Sequence, residues 1–276
     1  MNIAIVGLGI IGGSLAKAFT SYTGHRVIGI NRSEATAQRA LSEGAIHEVG
    51  TRQTLASADV VYMCTYPKHI ISFVEENAAY FKKGCIITDV CGIKSEICPS
   101  LTQICRNNGL VYVGSHPMAG KEKYSYDASE AELFKNASYI VVPCGADSES
   151  VNTVVSLAKE IGFGIIRMAT PQEHDRMIAF TSQVPHALAC AYVMSPSCLN
   201  HKGFSAGSYR DVSRVAAINE NLWTDLFLSN QEPLSEELGI LIQNLTVIKN
   251  AVDSGNGDEL RELLKESRLI KQKADE

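Results

Sequence analysis

The chain opens MNIAIVGLGIIGGS. An apolar run, Ile3 to Val6, meets Gly7-Leu8-Gly9-Ile10-Ile11-Gly12, and a helical pattern follows at once. This order predicts a strand, a tight turn and a helix N-terminus. Gly7 permits the turn, Gly9 presents no side chain to a pyrophosphate, and Gly12 lets the helix press against the strand. The first helical residues, Ile10 and Ile11, then offer free N–H groups and a partial positive charge to phosphates. GxGxxG spacing alone is weak evidence. Set between a strand and a helix at the head of the chain, it predicts a dinucleotide site.

The sequence that follows repeats the pattern. His25–Ile30, Ala58–Cys64, Cys85–Val90, Leu110–Gly114, Tyr139–Val142 and Gly164–Met168 read as further strands, with helical segments between most of them. Ser33 is placed to cap a short helix ending at Ser42, and Pro67 to start one reaching about Phe81. Alternating strands and helices predict a Rossmann-type, doubly wound, mostly parallel sheet, with ligands at the carboxyl ends of its strands. The alternation stops near Ala169-Thr170-Pro171. Beyond it, apolar residues recur only at helical spacing, as in Leu238, Leu241, Ile242, Leu245 and Ile248. We therefore expect a dinucleotide-binding domain at 1–169 and an all-α substrate and dimerisation domain at 170–276. The long apolar helix packs either against a second copy of the chain or into a core of its own.

Composition narrows the function classes. The net charge is −5 with no long basic run, and no apolar stretch would span a bilayer. Nucleic acid and membranes are poor partners for such a chain, and a small-molecule substrate is the better expectation. No secretory leader pattern opens the sequence. The eight cysteines include no CxxC pair, which predicts reduced core thiols, no metal and a cytoplasmic setting. Cys98 and Cys105 fall on one helix face.

Cofactor choice in such a sheet is made after the second strand, where an acidic residue would bind the ribose 2′-OH. Here Asn31-Arg32-Ser33 stands instead, and a guanidinium suits a 2′-phosphate. NADP is the preferred reading; NAD, with Arg32 simply solvated, is the alternative. Thr65, after the Ala58–Cys64 strand, and Asp89, at the exit of the next, face the same sheet edge.

Two clusters can do chemistry. Ser115 and His116 follow the Leu110–Gly114 strand, and a histidine there can take a proton while the carbon beneath gives up hydride. Arg210, Asp211 and Arg214 lie together in GSYRDVSRVA, where spacing alone favours a surface ion pair. His186 falls in an apolar run and needs a partner, either substrate or a neighbouring helix. His174, between Glu173 and Asp175, reads as part of a helix start.

Together GLGIIGGS (7–14), TDVCGIK (88–94), SHPMAGKE (115–122), TPQEHDRM (170–177), PHALA (185–189) and YRDVSRVAAINENLW (209–223) resemble the prephenate dehydrogenase family. The resemblance implies oxidative decarboxylation of prephenate to 4-hydroxyphenylpyruvate, or of arogenate to tyrosine, and a helical homodimer. It implies that His116 acts on the ring 4-hydroxyl and Arg214 grips a carboxylate, with Asp211 and Trp223 as neighbours of that arginine. Lys121, Glu122 and His186 are further substrate-binding candidates. The chain departs from the family at Gly92, where many members carry a serine that helps position the histidine. A β-hydroxyacid dehydrogenase or imine reductase, or a non-catalytic NADP-binding sensor, are the rival readings.

Overall fold

The computed structural model describes residues 1–121 and 125–275. Its first part runs β1 (Asn2–Val6), α1 (Ile10–Tyr22), β2 (Arg26–Ile30), α2 (Glu34–Ser42), β3 (Glu48–Val49), β4 (Val60–Met63), α3 (Pro67–Asn77), β5 (Ile86–Asp89), α4 (Ile97–Asn107), β6 (Val111–Met118), β7 (Ser138–Val142), α5 (Ser148–Glu160) and β8 (Ile165–Met168). These strands form an 8-stranded sheet in the order β3-β2-β1-β4-β5-β6-β7-β8. The pairs are parallel, except that β6 and β7 run antiparallel.

Period-2 alternation divides the strand side chains between two cores. Ile3 and Ile5 join Leu15, Phe19, Val27 and Leu157 on one face. Ala4 and Val6 join Val61, Met63, Ile70 and Leu101 on the other. Cys98 and Cys105 of α4 are buried in that second core, and all eight cysteines are free thiols.

The local starts follow their sequence signals. Ser33 caps α2 by accepting from the Thr36 N–H, and Pro67 opens α3. Thr170 and Glu173 form a reciprocal capping box at the head of the next helix.

One strand differs from the sequence expectation. β6 continues past Gly114 to Met118, so His116 lies within a strand rather than in a loop beyond one. The cause is a change of partner. Val111–Val113 pair with β5, whereas Gly114–Met118 pair with β7. A serine, a histidine and a proline carry no apolar alternation, so the extension left no pattern to read. The two-residue β3 escaped for the same reason.

From Pro171 on, the described residues are helical or irregular: α6 (Pro171–Ile178), α7 (Val184–Val193), α8 (Gly207–Ser213), α9 (Glu220–Ser229), α10 (Gln231–Asp253) and α11 (Gly257–Asp275). A π-helical turn, Ala179–Gln183, joins α6 to α7. Of α10 only Leu234 and Ala251 are buried, while Ile242 and Leu245 are exposed. No described helix is long and apolar enough to cross a membrane.

Candidate active site

A cleft of about 630 Å³ lies between the carboxyl edge of the sheet and the helical part. Gly9, Ile10, Ile11 and Gly12 form one wall, with Thr65 and Gly92 from the β4 and β5 exits beside them. β6 and the residues after it contribute His116 to Lys121. The helical part contributes Gln183, His186, Arg214 and Trp223.

The glycine wall fits a dinucleotide. Gly7 has φ +98°, and a Cβ there would meet the Cys64 carbonyl oxygen at 2.5 Å. A Cβ on Gly12 would lie 1.9 Å from the Gly7 carbonyl oxygen, so the helix closes on the turn only because Gly12 lacks a side chain. A Cβ on Gly9 would meet nothing within 4 Å, leaving open space over the turn. No side chain caps α1, so its first N–H groups face that space. Thr65 Oγ1 is buried and has no hydrogen-bond partner among the described residues, which leaves it available to a ligand in the cleft.

His116 is held from behind. Its Nδ1 lies 2.9 Å from His174 Nε2. His174 Nδ1 lies 2.7 Å from Asp175 Oδ1, and Asp175 accepts the Lys94 and Ser95 backbone N–H groups at 2.8 and 2.7 Å. Burial, together with the positive charge of Lys94 and the second ring, pushes His116 well below the ordinary histidine range. Burial also lowers His174, against the pull of Asp175. Burial works against the charged Asp175 carboxylate, yet donors from His174 and Ser95 hold it below its usual range.

Beneath these groups sits a buried ion pair. Lys94 Nζ is 2.6 Å from Asp89 Oδ1, with both side chains fully buried. Tyr112 donates to Asp89 Oδ2 at 2.7 Å. Burial penalises the Lys94 ammonium, but the Asp89 carboxylate outweighs it and raises the lysine above its ordinary value.

The helical wall is aromatic and cationic. His186 stacks on Trp223 with ring centroids 3.7 Å apart. Its Nδ1 is 2.7 Å from the Ser182 carbonyl oxygen, an acceptor, so this nitrogen carries the hydrogen. The acceptor is thus the backbone four residues earlier, while the neighbouring helix α9 supplies the stacked Trp223 and the ring also lines the cleft. Arg214 starts the short turn Arg214–Ala216 that follows α8.

Residues 15–167 match the family model for the prephenate dehydrogenase nucleotide-binding domain, and residues 170–266 match that for the prephenate dehydrogenase dimerization domain. The chain belongs to the prephenate dehydrogenase family. A cyclohexadienyl dehydrogenase of Zymomonas mobilis is 32% identical over 97% of this chain and 94% of its own length. The crystal structure of Synechocystis arogenate dehydrogenase superposes with a TM-score of 0.85 at 27% identity, covering 99% of this chain and all of that one (100%). Prephenate dehydrogenase from A. aeolicus, solved with hydroxyphenyl propionate and NAD+, has the same fold: TM-score 0.88, 23% identity, 99% of this chain and 98% of that one.

In this member of the prephenate dehydrogenase family the sequence-predicted residues fall into two groups. Gly9, Ile10, Ile11, Gly12, Thr65, His116, Lys121, His186, Arg214 and Trp223 line the cleft. Lys121 also pairs with Glu130 at 2.6 Å. Glu122 lies outside the described residues.

The others are not among the residues that line the cleft. Ser115 is fully buried; it donates to the Asp89 carbonyl oxygen at 2.5 Å and accepts from Tyr139 at 2.6 Å. In an extended strand neighbours point to opposite faces, so Ser115 turns inward where His116 turns to the cleft. Asp89 is likewise inside, committed to Lys94 and Tyr112 rather than to a cofactor. Asn31 accepts the Leu8 N–H at 2.9 Å and so braces the glycine turn. The Ser33 hydroxyl is the α2 cap. Arg32 is exposed beside them. Asp211 is exposed and pairs with Arg210 at 3.6 Å. α8 ends at Ser213, but Arg214 keeps helical backbone angles and its N–H bonds the Arg210 carbonyl oxygen, so Asp211 and Arg214 stay three apart on a continuous helical turn.

His174 is the largest correction. The capping box needs only Thr170 and Glu173, and His174 and Asp175 turn into the interior instead. Gln183 also escaped the sequence reading. It is buried in the cleft wall, donates to the Leu226 carbonyl oxygen and accepts from Asn230 at 2.7 Å.

Proposed function

We propose that this chain catalyses oxidative decarboxylation of prephenate, or of arogenate, in tyrosine biosynthesis. One observation carries the reading: a glycine-rich dinucleotide turn, a partly buried neutral histidine and an arginine all line a single cleft. His116 takes the proton of the ring hydroxyl as the carbon bearing it loses hydride. Bound nicotinamide supplies the hydride acceptor. The bond from the ring to its carboxylate then breaks as carbon dioxide leaves, its electron pair completes the aromatic ring, and the proton returns to the phenolic oxygen. Arg214 holds a substrate carboxylate, and the His186–Trp223 stack walls the ring site.

NADP is the preferred cofactor in this reading, with Arg32 on the 2′-phosphate and no carboxylate after β2 to repel it. Residues 1–169 bind the dinucleotide; residues 170–276 complete the substrate site and form a homodimer. Support for the dimer comes from the apolar residues that α10 and α11 leave exposed, among them Ile242, Leu245 and Ile270. Eight free thiols suit the cytoplasm.

Incubation with each cofactor and each substrate, followed by absorbance of the reduced nicotinamide, tests the proposal. Turnover that His116→Asn abolishes, chiefly through kcat, supports it. No signal in any combination contradicts it.

A further inference from the structure

The hydrogen-bond chain behind His116 is not needed to build the cleft, and its polarity can be derived. Asp175 accepts two backbone N–H groups and is held below the ordinary carboxylate range, so it is an acceptor towards His174. His174 Nδ1, 2.7 Å away, therefore carries a hydrogen. The ring is buried and neutral, so its other nitrogen, Nε2, has a lone pair. That nitrogen faces His116 Nδ1 at 2.9 Å, and the hydrogen between them belongs to His116. The lone pair of His116 is then left on Nε2. A Cβ built on Gly92 would lie 3.8 Å from that nitrogen and 3.7 Å from Leu226 Cδ2, which places Nε2 beside the Gly92 wall of the cleft that all three residues line.

We propose that His174 and Asp175 are positioning residues for the proposed proton acceptor: a buried Asp175–His174–His116 relay fixes the His116 tautomer with its basic nitrogen towards substrate. This deepens the reading given above and rests on it. The anchor of the relay is peptide backbone. Lys94 and Ser95, in the loop after β5, pin both carboxylate oxygens, and Asn230 Nδ2 binds the Asp175 carbonyl oxygen at 2.8 Å. The carboxylate thus cannot swing away, and the His174 ring has one orientation. When His116 takes up a proton, the new imidazolium keeps its Nδ1–H on His174 Nε2, and the Asp175 charge stabilises it through the intervening ring. A solvent-exposed histidine would sample both tautomers and several rotamers; only one combination would present a lone pair to the hydroxyl.

The relay explains how the histidine is oriented with glycine at position 92. A hydroxyl beside Nε2 would orient the ring from the substrate side. Here the ring is oriented through Nδ1, from the protein side.

Nitrogen-15 spectra of the histidine rings test the relay directly, with His116 assigned by its loss in His116→Asn. The expected wild-type ring is neutral with its hydrogen on Nδ1. His174→Leu, which removes the acceptor, is expected to lower kcat about ten- to a hundredfold with the cofactor KM within about threefold. His174→Gln offers an amide oxygen to the same N–H and is expected to recover about tenfold of that loss. A wild-type hydrogen on Nε2 overturns the relay. So does a kcat for His174→Leu within about threefold of wild type, or equal impairment of the leucine and glutamine variants. The wild-type spectrum requires no variant to fold. If no substrate turns over, the functional reading fails while the spectrum still decides the relay.

Discussion

Lys94 and Asp89 form an ion pair, 2.6 Å long, in which neither side chain reaches solvent. The pair sits below the cleft, and the backbone of the same lysine binds Asp175. One residue of the TDVCGIK segment therefore ties the end of β5 to α6. Desolvating two charges is costly, and the pair persists because Tyr112 and the Cys91 N–H complete the carboxylate's hydrogen bonds. Lys94→Met keeps the volume and strands a buried carboxylate. Urea denaturation is expected to show a loss of about 3–5 kcal/mol. A loss below about 1 kcal/mol would mean that the remaining donors satisfy Asp89 alone.

The proposed function gives Arg214, in the cleft wall, a substrate carboxylate to hold. Arg214→Ala is expected to raise the substrate KM roughly 10- to 100-fold, the worth of a charge-assisted hydrogen bond, with kcat little changed. Steady-state kinetics check this. A fall in kcat at constant KM would place Arg214 on the transition state instead.

The proposed function places cofactor choice on Arg32, since Asn31 and Ser33 are occupied with the turn and the helix cap. Arg32→Ala is expected to lower kcat/KM for NADP about tenfold and to leave NAD within about twofold. Equal losses with both cofactors would remove the assignment.

The two coupled histidines should make the fold acid-sensitive. His116 and His174 are both depressed by burial, so the native state keeps them neutral where the unfolded chain, titrating near 6.5, takes up protons. The unfolded state then binds more protons, and stability rises with pH across this window. The contribution is complete above about pH 6.5 and is lost as pH falls towards the depressed native values, at up to about 1.4 kcal/mol per unit for each ring. Denaturant titrations between about pH 7 and about pH 5.5 measure the slope, which is expected to shrink in His174→Gln. An unchanged slope in that variant would contradict the assignment.

The legible parts of this molecule were those with strong local chemistry. The glycine turn, the Ser33 cap, the buried strands and the helical second half each follow from patterns a few residues long. The site was harder because it depends on partners distant in sequence. Ser115 and His116 read as neighbours in one loop, yet β7 extends the strand through them and turns them to opposite faces. Asp211 and Arg214 read as one helical face, and the backbone stays helical through Arg214, but only Arg214 lines the cleft. His174 looked like part of a cap, although Thr170 and Glu173 already complete the box and leave it surplus. Surplus polar residues beside a satisfied cap were the signal that could have found the relay.

The central claim is that hydride loss and decarboxylation occur together on one ring held in this cleft. Simultaneous measurement of reduced cofactor and released carbon dioxide, with prephenate and with arogenate, tests it most directly. The account predicts equal amounts of both products from at least one of these substrates. Reduced cofactor without carbon dioxide, or neither product from either substrate, would contradict it.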